Sequence, residues 1–275
     1  MKKYFGDIRM TWPRVIALAV ITAVYTALIN QVPALEDTSL RDIAVTLECW
    51  FLFAVFIIVN CRKWQEAALK CFVFFLISQP LIYLIEVPFY GGWGIFQYYR
   101  YWLKITVLTL PGAAIAFLVK KKNWLSVLIL SVATGYLAVQ GVTYLRSAIF
   151  NFPYHLLSSL FCFALAIFFI FVLLDEKKHR AAALAVFAAI LIGCAVFTFG
   201  ARLNRQETIE LGTENWSYEL ADGSIADVTV AEDGQAQVKA VRNGNTELCF
   251  RSENGEEDTY YISVINGSLF INRLE

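Results

Sequence analysis

Seven apolar segments of membrane-spanning length follow one another through residues 1–200, and residues 201–275 then form a polar tail. The apolar segments cover residues 12–29, 43–60, 67–87, 101–119, 124–145, 153–174 and 181–199. Each is long enough to cross about 30 Å of hydrocarbon as a helix that rises 1.5 Å per residue. Backbone groups find no water in lipid, so each segment must be helical. The sequence therefore predicts a membrane all-α seven-helix bundle in residues 1–200.

The distribution of basic residues predicts how these segments are oriented. Thirteen Lys and Arg residues fall in one alternating set of loops and segment ends, and four fall in the opposite set. Basic residues concentrate on the cytoplasmic side of membrane proteins. We therefore expect a multi-pass protein of the cell membrane with a cytoplasmic N-terminus. With seven spans, the C-terminal domain is expected to be extracytoplasmic.

The distribution of charge and the numbers of Cys and His residues narrow the functions that are possible for this chain. Residues 1–200 hold 17 Lys+Arg and 9 Asp+Glu, whereas residues 201–275 hold 6 and 14, so the basic charge belongs to the apolar half. That charge indicates topology, and we expect no nucleic-acid partner. The chain has six Cys, two His and no Cys pair at metal-binding spacing, so neither a metal nor a cofactor is expected. No catalytic motif is present, which favours a non-catalytic protein without excluding an enzyme.

The polar tail has the pattern of a small β-domain. From residue 214 the apolar residues recur with a period of two, in the stretches 225–230, 236–241, 246–250 and 260–264. Gly-containing turn dipeptides such as Asp222-Gly223 and Asn243-Gly244 separate the stretches. Short strands at regular spacing predict a β-sandwich over residues 209–275, joined to the helices by a linker at 201–208.

Part of this tail, WSYELADGSIADVTVAEDGQAQVKAVRNGNTELCF, resembles a bacterial Ig-like domain of group 2. Trp216-Ser217 opens the domain, residues 225–228 stand in place of the family's VATV strand, and Gly234 to Ala240 stand in place of its G-x-V-x-A strand. The resemblance covers residues 209–265 and departs from the family pattern at Asn245 and in an extra strand at 268–272. It implies an extracytoplasmic all-β Ig-like sandwich that acts as a spacer or adhesive module in a bacterial cell envelope.

Polar side chains inside the apolar segments are the candidates for a ligand pocket. Intramembrane charges are costly and usually face protein or water. Most of these residues lie in the outer halves of the segments, which predicts an outward-facing polar pocket among the first six spans. The candidates are Glu48, Glu86, Arg100, Lys104, Tyr136, Gln140, Tyr144 and His155. We expect Glu48 to pair with Lys104 or Arg100. The alternatives are that Lys104 only extends to the membrane surface, that Glu86 and Arg100 form a ligand-free ion pair, and that His155 is an interfacial residue.

Three functions remain open on this basis. The first is a non-catalytic binding or scaffolding protein of a bacterial cell envelope, with a lipid, glycan or small molecule bound at the outer face. The second is a transporter or a substrate-capturing membrane subunit. The third is an intramembrane enzyme that acts on a lipid-linked substrate, with Glu48 or His155 as acid or base and Arg100 or Lys104 holding phosphate. In every case the lipid bilayer is a partner.

Overall fold

The computed structural model describes residues 8–36, 38–200, 205–212, 216–231, 234–254, 257–265 and 267–274. The described residues form eight α-helices followed by seven β-strands. They belong to two compact units, the first within Met1–Tyr144 and His155–Cys194 and the second within Leu145–Tyr154 and Ala195–Glu275.

The helices follow the apolar segments closely. They are α1 (Trp12–Asn30), α2 (Ser39–Val45), α3 (Leu47–Val59), α4 (Trp64–Glu86), α5 (Phe96–Ala116), α6 (Trp124–Phe150), α7 (Leu156–Leu173) and α8 (Lys177–Gly200). Short 3-10 turns occupy Pro33–Leu35, Trp93–Ile95 and Phe117–Lys121. Within the described ranges, six helices are long and apolar enough to cross a membrane: α1, α4, α5 with its flanking turns, α6, α7 and α8.

The second apolar segment differs from the continuous helix that the sequence predicts. The chain bends by 46° between α2 and α3, and the pair amounts to a seventh span if the two are counted together. Thr46 lies at the bend with extended backbone angles, φ −85° and ψ 162°. Its amide and its hydroxyl both donate to the carbonyl oxygen of Asp42, at 2.9 and 2.5 Å. The hydroxyl bond adds to the ordinary helical bond that the amide makes to the same carbonyl oxygen, and Thr hydroxyl bonds of this kind often bend a helix.

The apolar core of the first unit consists of two clusters. One surrounds Trp50 and Phe74 and draws on α1, α3 and α4. The other surrounds Leu137 and Phe169 and draws on α6, α7 and α8. In α3, Trp50 belongs to the first cluster and the next residue, Phe51, packs against the second. The helix α3 therefore contributes to both cores.

The C-terminal strands form two antiparallel sheets. They are β1 (Gln206–Glu210), β2 (Trp216–Leu220), β3 (Ala226–Val230), β4 (Gln235–Ala240), β5 (Gly244–Ser252), β6 (Glu257–Ile265) and β7 (Ser268–Leu274). The strand orders are β1-β4-β3 and β2-β5-β6-β7. Val238 of the first sheet and Leu248, Phe250 and Ile262 of the second are fully buried in one shared core. The strand alternation that the sequence predicts is present, and β1 begins within the stretch 201–208 that the sequence assigns to a linker.

Candidate functional site

A first group of polar side chains lies where α1 and α4 end. Asn30 is the last residue of α1 and Glu86 is the last residue of α4. The Asn30 Nδ2 atom donates to Glu86 Oε1 at 2.7 Å, and Arg41 Nε donates to Asn30 Oδ1 at 2.9 Å. Arg41 also forms an ion pair with Glu36, at 3.3 Å. The Asn30 amide therefore links a buried carboxylate of α4 to a guanidinium of α2.

This group borders a cavity of about 620 Å³ in the first unit. Cavities of that size hold small organic molecules in other proteins. The lining combines aromatic, amide and aliphatic side chains with one carboxylate. The lining residues are Thr26, Asn30, Val45, Trp50, Gln79, Ile82, Tyr83, Glu86, Tyr90, Ile95, Gln97, Tyr98, Tyr101 and Trp102.

The cavity extends from the interior of the unit to its surface. Trp50, Gln79 and Glu86 are each at most 2% exposed, whereas Tyr98 and Tyr101 are each 62% exposed. The Nε2 atom of Gln79 is buried and has no hydrogen-bond partner among the described residues. An amide left without a partner costs about 1–3 kcal/mol in desolvation, so buried amides are usually paired. This unsatisfied amide belongs to a residue of the cavity wall.

A second group of polar side chains forms around Asp42, in α2. Asp42 Oδ2 accepts a hydrogen bond of 2.7 Å from Ser158 Oγ, and His155 Nδ1 lies 2.7 Å from the same oxygen. The Tyr144 ring is stacked on the His155 ring with centroids 6.2 Å apart. The carboxylate thus connects α2 with the start of α7, and the His155 ring in turn contacts the Tyr144 ring of α6.

Glu48 and Tyr136 approach each other close to this group. Glu48 is 1% exposed, and its Oε1 atom lies 3.5 Å from the Tyr136 hydroxyl, which accepts a hydrogen bond of 2.9 Å from Gln140 Nε2. The Glu48 Oε2 atom has no hydrogen-bond partner within the described part of the chain. No group of three or more His, Cys, Asp or Glu side chains in that part of the chain could hold a metal ion.

The eight residues singled out by sequence therefore fall in three places. Glu86 lines the cavity. Glu48, Tyr136, Gln140, Tyr144 and His155 lie at or close to the Asp42 group. Arg100 and Lys104 are exposed.

The two cations on α5, Arg100 and Lys104, form no ion pair with the carboxylates of Glu48 and Glu86. No ion pair joins Arg100 or Lys104 to a described residue, so the pairings expected with Glu48 and Glu86 are not formed. Lys104 is two positions from Thr106, which is fully buried. Two positions are about 200° apart around an α-helix, so Lys104 lies on the opposite face of α5. Helical geometry therefore accounts for its exposure.

Several polar residues of these groups are absent from the sequence-based set, among them Asn30, Gln79, Arg41 and Asp42. Asn30 and Gln79 were visible as polar positions inside apolar segments, and Asn30 follows Thr22 and Thr26 at helical spacing. Arg41 and Asp42 lie just outside the predicted span 43–60. The helix α2 holds both residues within the packed unit. A predicted span that began one helical turn earlier would have included them.

Comparison with known proteins gives no match: no protein-family model, no curated protein and no solved structure matches this chain. The geometry of the cavity and of the two polar groups is therefore the basis for assigning a function.

Proposed function

We propose that this chain is a non-catalytic multi-pass membrane protein that binds a small ligand in the cavity between α1, α2, α4 and α5. The unsatisfied Gln79 amide in the cavity wall carries the proposal. A ligand with a hydrogen-bond acceptor that reaches the buried Nε2 atom would pair with it, and Glu86 and Asn30 offer further polar contacts. The apolar and aromatic lining supplies contact area.

The proposed placement in the membrane has its own support. Six apolar helices of sufficient length and the bent pair α2–α3 allow seven crossings. The basic loops favour a cytoplasmic N-terminus. Asn30, Glu86 and Tyr98 lie at helix ends that this orientation assigns to the outer face. The cavity would then be open to a lipid headgroup, a glycan or a small molecule outside the cell.

The C-terminal domain is proposed to be an extracytoplasmic Ig-like sandwich. Seven antiparallel strands in two sheets around one apolar core support this proposal, together with the sequence resemblance over residues 209–265. Its role would be that of a spacer or an adhesive module in a bacterial cell envelope. The ligand-binding role does not depend on it.

A transporter or a substrate-capturing subunit is the second candidate, and the break at Thr46 favours it. Discontinuous helices with polar side chains at the break are typical of substrate sites in secondary transporters. Asp42 and Glu48 flank the break, four residues before and two residues after Thr46. Uptake of the bound ligand into liposomes containing the purified protein would distinguish transport from binding alone.

The binding proposal is tested by thermal unfolding of the full-length protein in detergent with a panel of lipids, glycans and small metabolites. We expect at least one compound to raise the unfolding midpoint of the parent protein, and the increase to be smaller in Gln79→Leu, which keeps the side-chain volume. Gln65→Leu is the matched control, because Gln65 is an exposed residue of α4 that does not line the cavity. A panel in which no compound stabilises the parent protein would contradict the proposal.

A further inference from the structure

The charges around the cavity are unbalanced. Glu86 is the one charged side chain among the described residues that line it, and no Lys, Arg or His belongs to the lining. Its carboxylate is paired with the neutral amide of Asn30, at 2.7 Å. A carboxylate removed from water in this way is stabilised by a positive partner.

Arg41 does not supply the whole of that positive charge. Its Nε atom is bound to the Asn30 carbonyl oxygen, and its Nη1 atom is 3.3 Å from Glu36 Oε1. The set of Glu36, Arg41 and Glu86 contains two acids and one base. Its net charge is therefore negative, and a cation in the cavity would neutralise it.

Aromatic residues form a large part of the same cavity wall: Trp50, Tyr83, Tyr90, Tyr98, Tyr101 and Trp102. The faces of tyrosine and tryptophan rings attract organic cations, and the attraction is strongest where the cation is desolvated. A neutral sugar would also stack on such rings, but it would leave the Glu86 charge uncompensated. The combination of rings and one acid favours a cation that is itself partly apolar.

We infer that the ligand of the proposed binding site is an organic ammonium cation, whose charge pairs with Glu86 and whose alkyl groups contact the tyrosine and tryptophan side chains. This inference rests on the proposed function. The ammonium group could belong to a free amine or to a lipid headgroup. The cavity chemistry is the same for both, and the experiment separates them.

The test compares organic cations with an uncharged analogue of the same shape. Binding to the full-length protein in a neutral detergent is measured by calorimetry and thermal unfolding for choline, for tetramethylammonium and for 3,3-dimethyl-1-butanol, the uncharged analogue of choline. We expect both cations to bind and the neutral analogue to bind about tenfold more weakly or not at all. Short-chain phosphatidylcholine and phosphatidylglycerol then distinguish a lipid source, because only the former carries the ammonium group.

Variants assign the effect to the cavity. Glu86→Gln keeps the shape of the side chain and should weaken choline binding about tenfold. Glu66→Gln removes a carboxylate in the first turn of α4, at the opposite end of that helix from Glu86 and outside the lining, and should leave choline binding unchanged. Tyr98→Leu alters an exposed ring that the fold does not require. This variant should also weaken choline binding, so the inference can still be tested if Glu86→Gln fails to fold.

Distinct outcomes contradict the inference and the proposed function. Equal binding of choline and its neutral analogue, or no binding of any cation, overturns the ammonium inference. If a neutral sugar or metabolite then stabilises the protein and Gln79→Leu abolishes that effect, the binding function stands without the cation. If no compound of either kind stabilises the protein, the binding function fails as well.

Discussion

The Nδ1 atom of His155 lies 2.7 Å from the Oδ2 atom of Asp42, although 113 positions separate the two residues in the chain. The Ser158 hydroxyl donates to the same oxygen at 2.7 Å. One carboxylate oxygen thus connects Ser158 of α7 and the residue that precedes α7 to α2, a helix of only seven residues. Short helices depend on such tertiary contacts, because their own backbone bonds contribute little stability.

Replacing Asp42 with Asn should destabilise the first unit. The amide oxygen can accept the hydrogen bonds, but it lacks the charge that strengthens them, so we expect a loss of about 1–3 kcal/mol in the free energy of unfolding. Ser158→Ala removes one of the two contacts and should cost less. Thermal unfolding of the full-length protein in detergent measures both. An Asp42→Asn protein as stable as the parent would refute the connecting role of this carboxylate.

Gly141 marks a close approach between α6 and α7, and Gly141→Ala should loosen it. An added Cβ would overlap the ring of Phe163, and the Gly141 carbonyl oxygen accepts a hydrogen bond of 2.8 Å from Ser159. Overpacking of this kind typically costs about 1–3 kcal/mol. Gly193→Ala is the control, because no atom lies within 4 Å of the added carbon and its stability should be unchanged or slightly higher. Equal unfolding midpoints for the two variants would contradict the close approach.

Lys120 should stabilise the C-terminal end of α3. Its Nζ atom donates to the carbonyl oxygens of Val59 and Cys61, at 3.1 and 2.6 Å. Cations at helix C-termini interact favourably with the unpaired carbonyls there. We expect Lys120→Met to cost about 1–2 kcal/mol in the free energy of unfolding. Lys121→Met changes an exposed neighbour of equal charge and should have little effect. A similar loss in both variants would indicate a general effect of charge.

The proposed topology places the C-terminal domain outside the cell. Cysteines introduced at Thr229, which is exposed in β3, and at Lys121, which is exposed between α5 and α6, provide one probe for each side. In intact cells, a membrane-impermeant maleimide should add label to Thr229→Cys above the level of the parent chain and should not do so for Lys121→Cys. After lysis both should react. If Lys121→Cys gained label in intact cells and Thr229→Cys did not, the orientation would be the opposite of the one proposed.

The positions of the long helices were predictable from sequence because apolar length alone specifies them. The break at Thr46 was not, since residues 43–60 are apolar on both sides of it and the hydroxyl bond to the Asp42 carbonyl oxygen has no counterpart in the apolar pattern. In the C-terminal region, the period of two predicted the strands at 225–230, 236–241, 246–250 and 260–264. The strand β1 was missed because Gln206–Glu210 contains one buried residue, Ile209, and no clear alternation.

The polar groups were only partly predictable for a similar reason. Helical spacing indicated that Tyr136 and Gln140 are neighbours, and they share a hydrogen bond of 2.9 Å. Which side chains of other helices they meet depends on tertiary packing: Glu48 reaches Tyr136 across 88 positions. The sequence likewise could not separate Glu86 from the residues around Asp42, since all of them are polar positions near the same predicted surface.

The two adjacent residues Arg41 and Asp42 give α2 a bridging position within the first unit. Arg41 is bound to Asn30 beside the cavity, and Asp42 is bound to the start of α7. A ligand that displaced the Asn30 amide from Glu86 would therefore disturb the hydrogen bond between Asn30 and Arg41. Arg41 is adjacent to Asp42, which contacts the start of α7. We therefore expect occupancy of the cavity to affect the packing of α7, and a double-mutant cycle between Asn30 and Ser158 would register such a coupling as non-additivity.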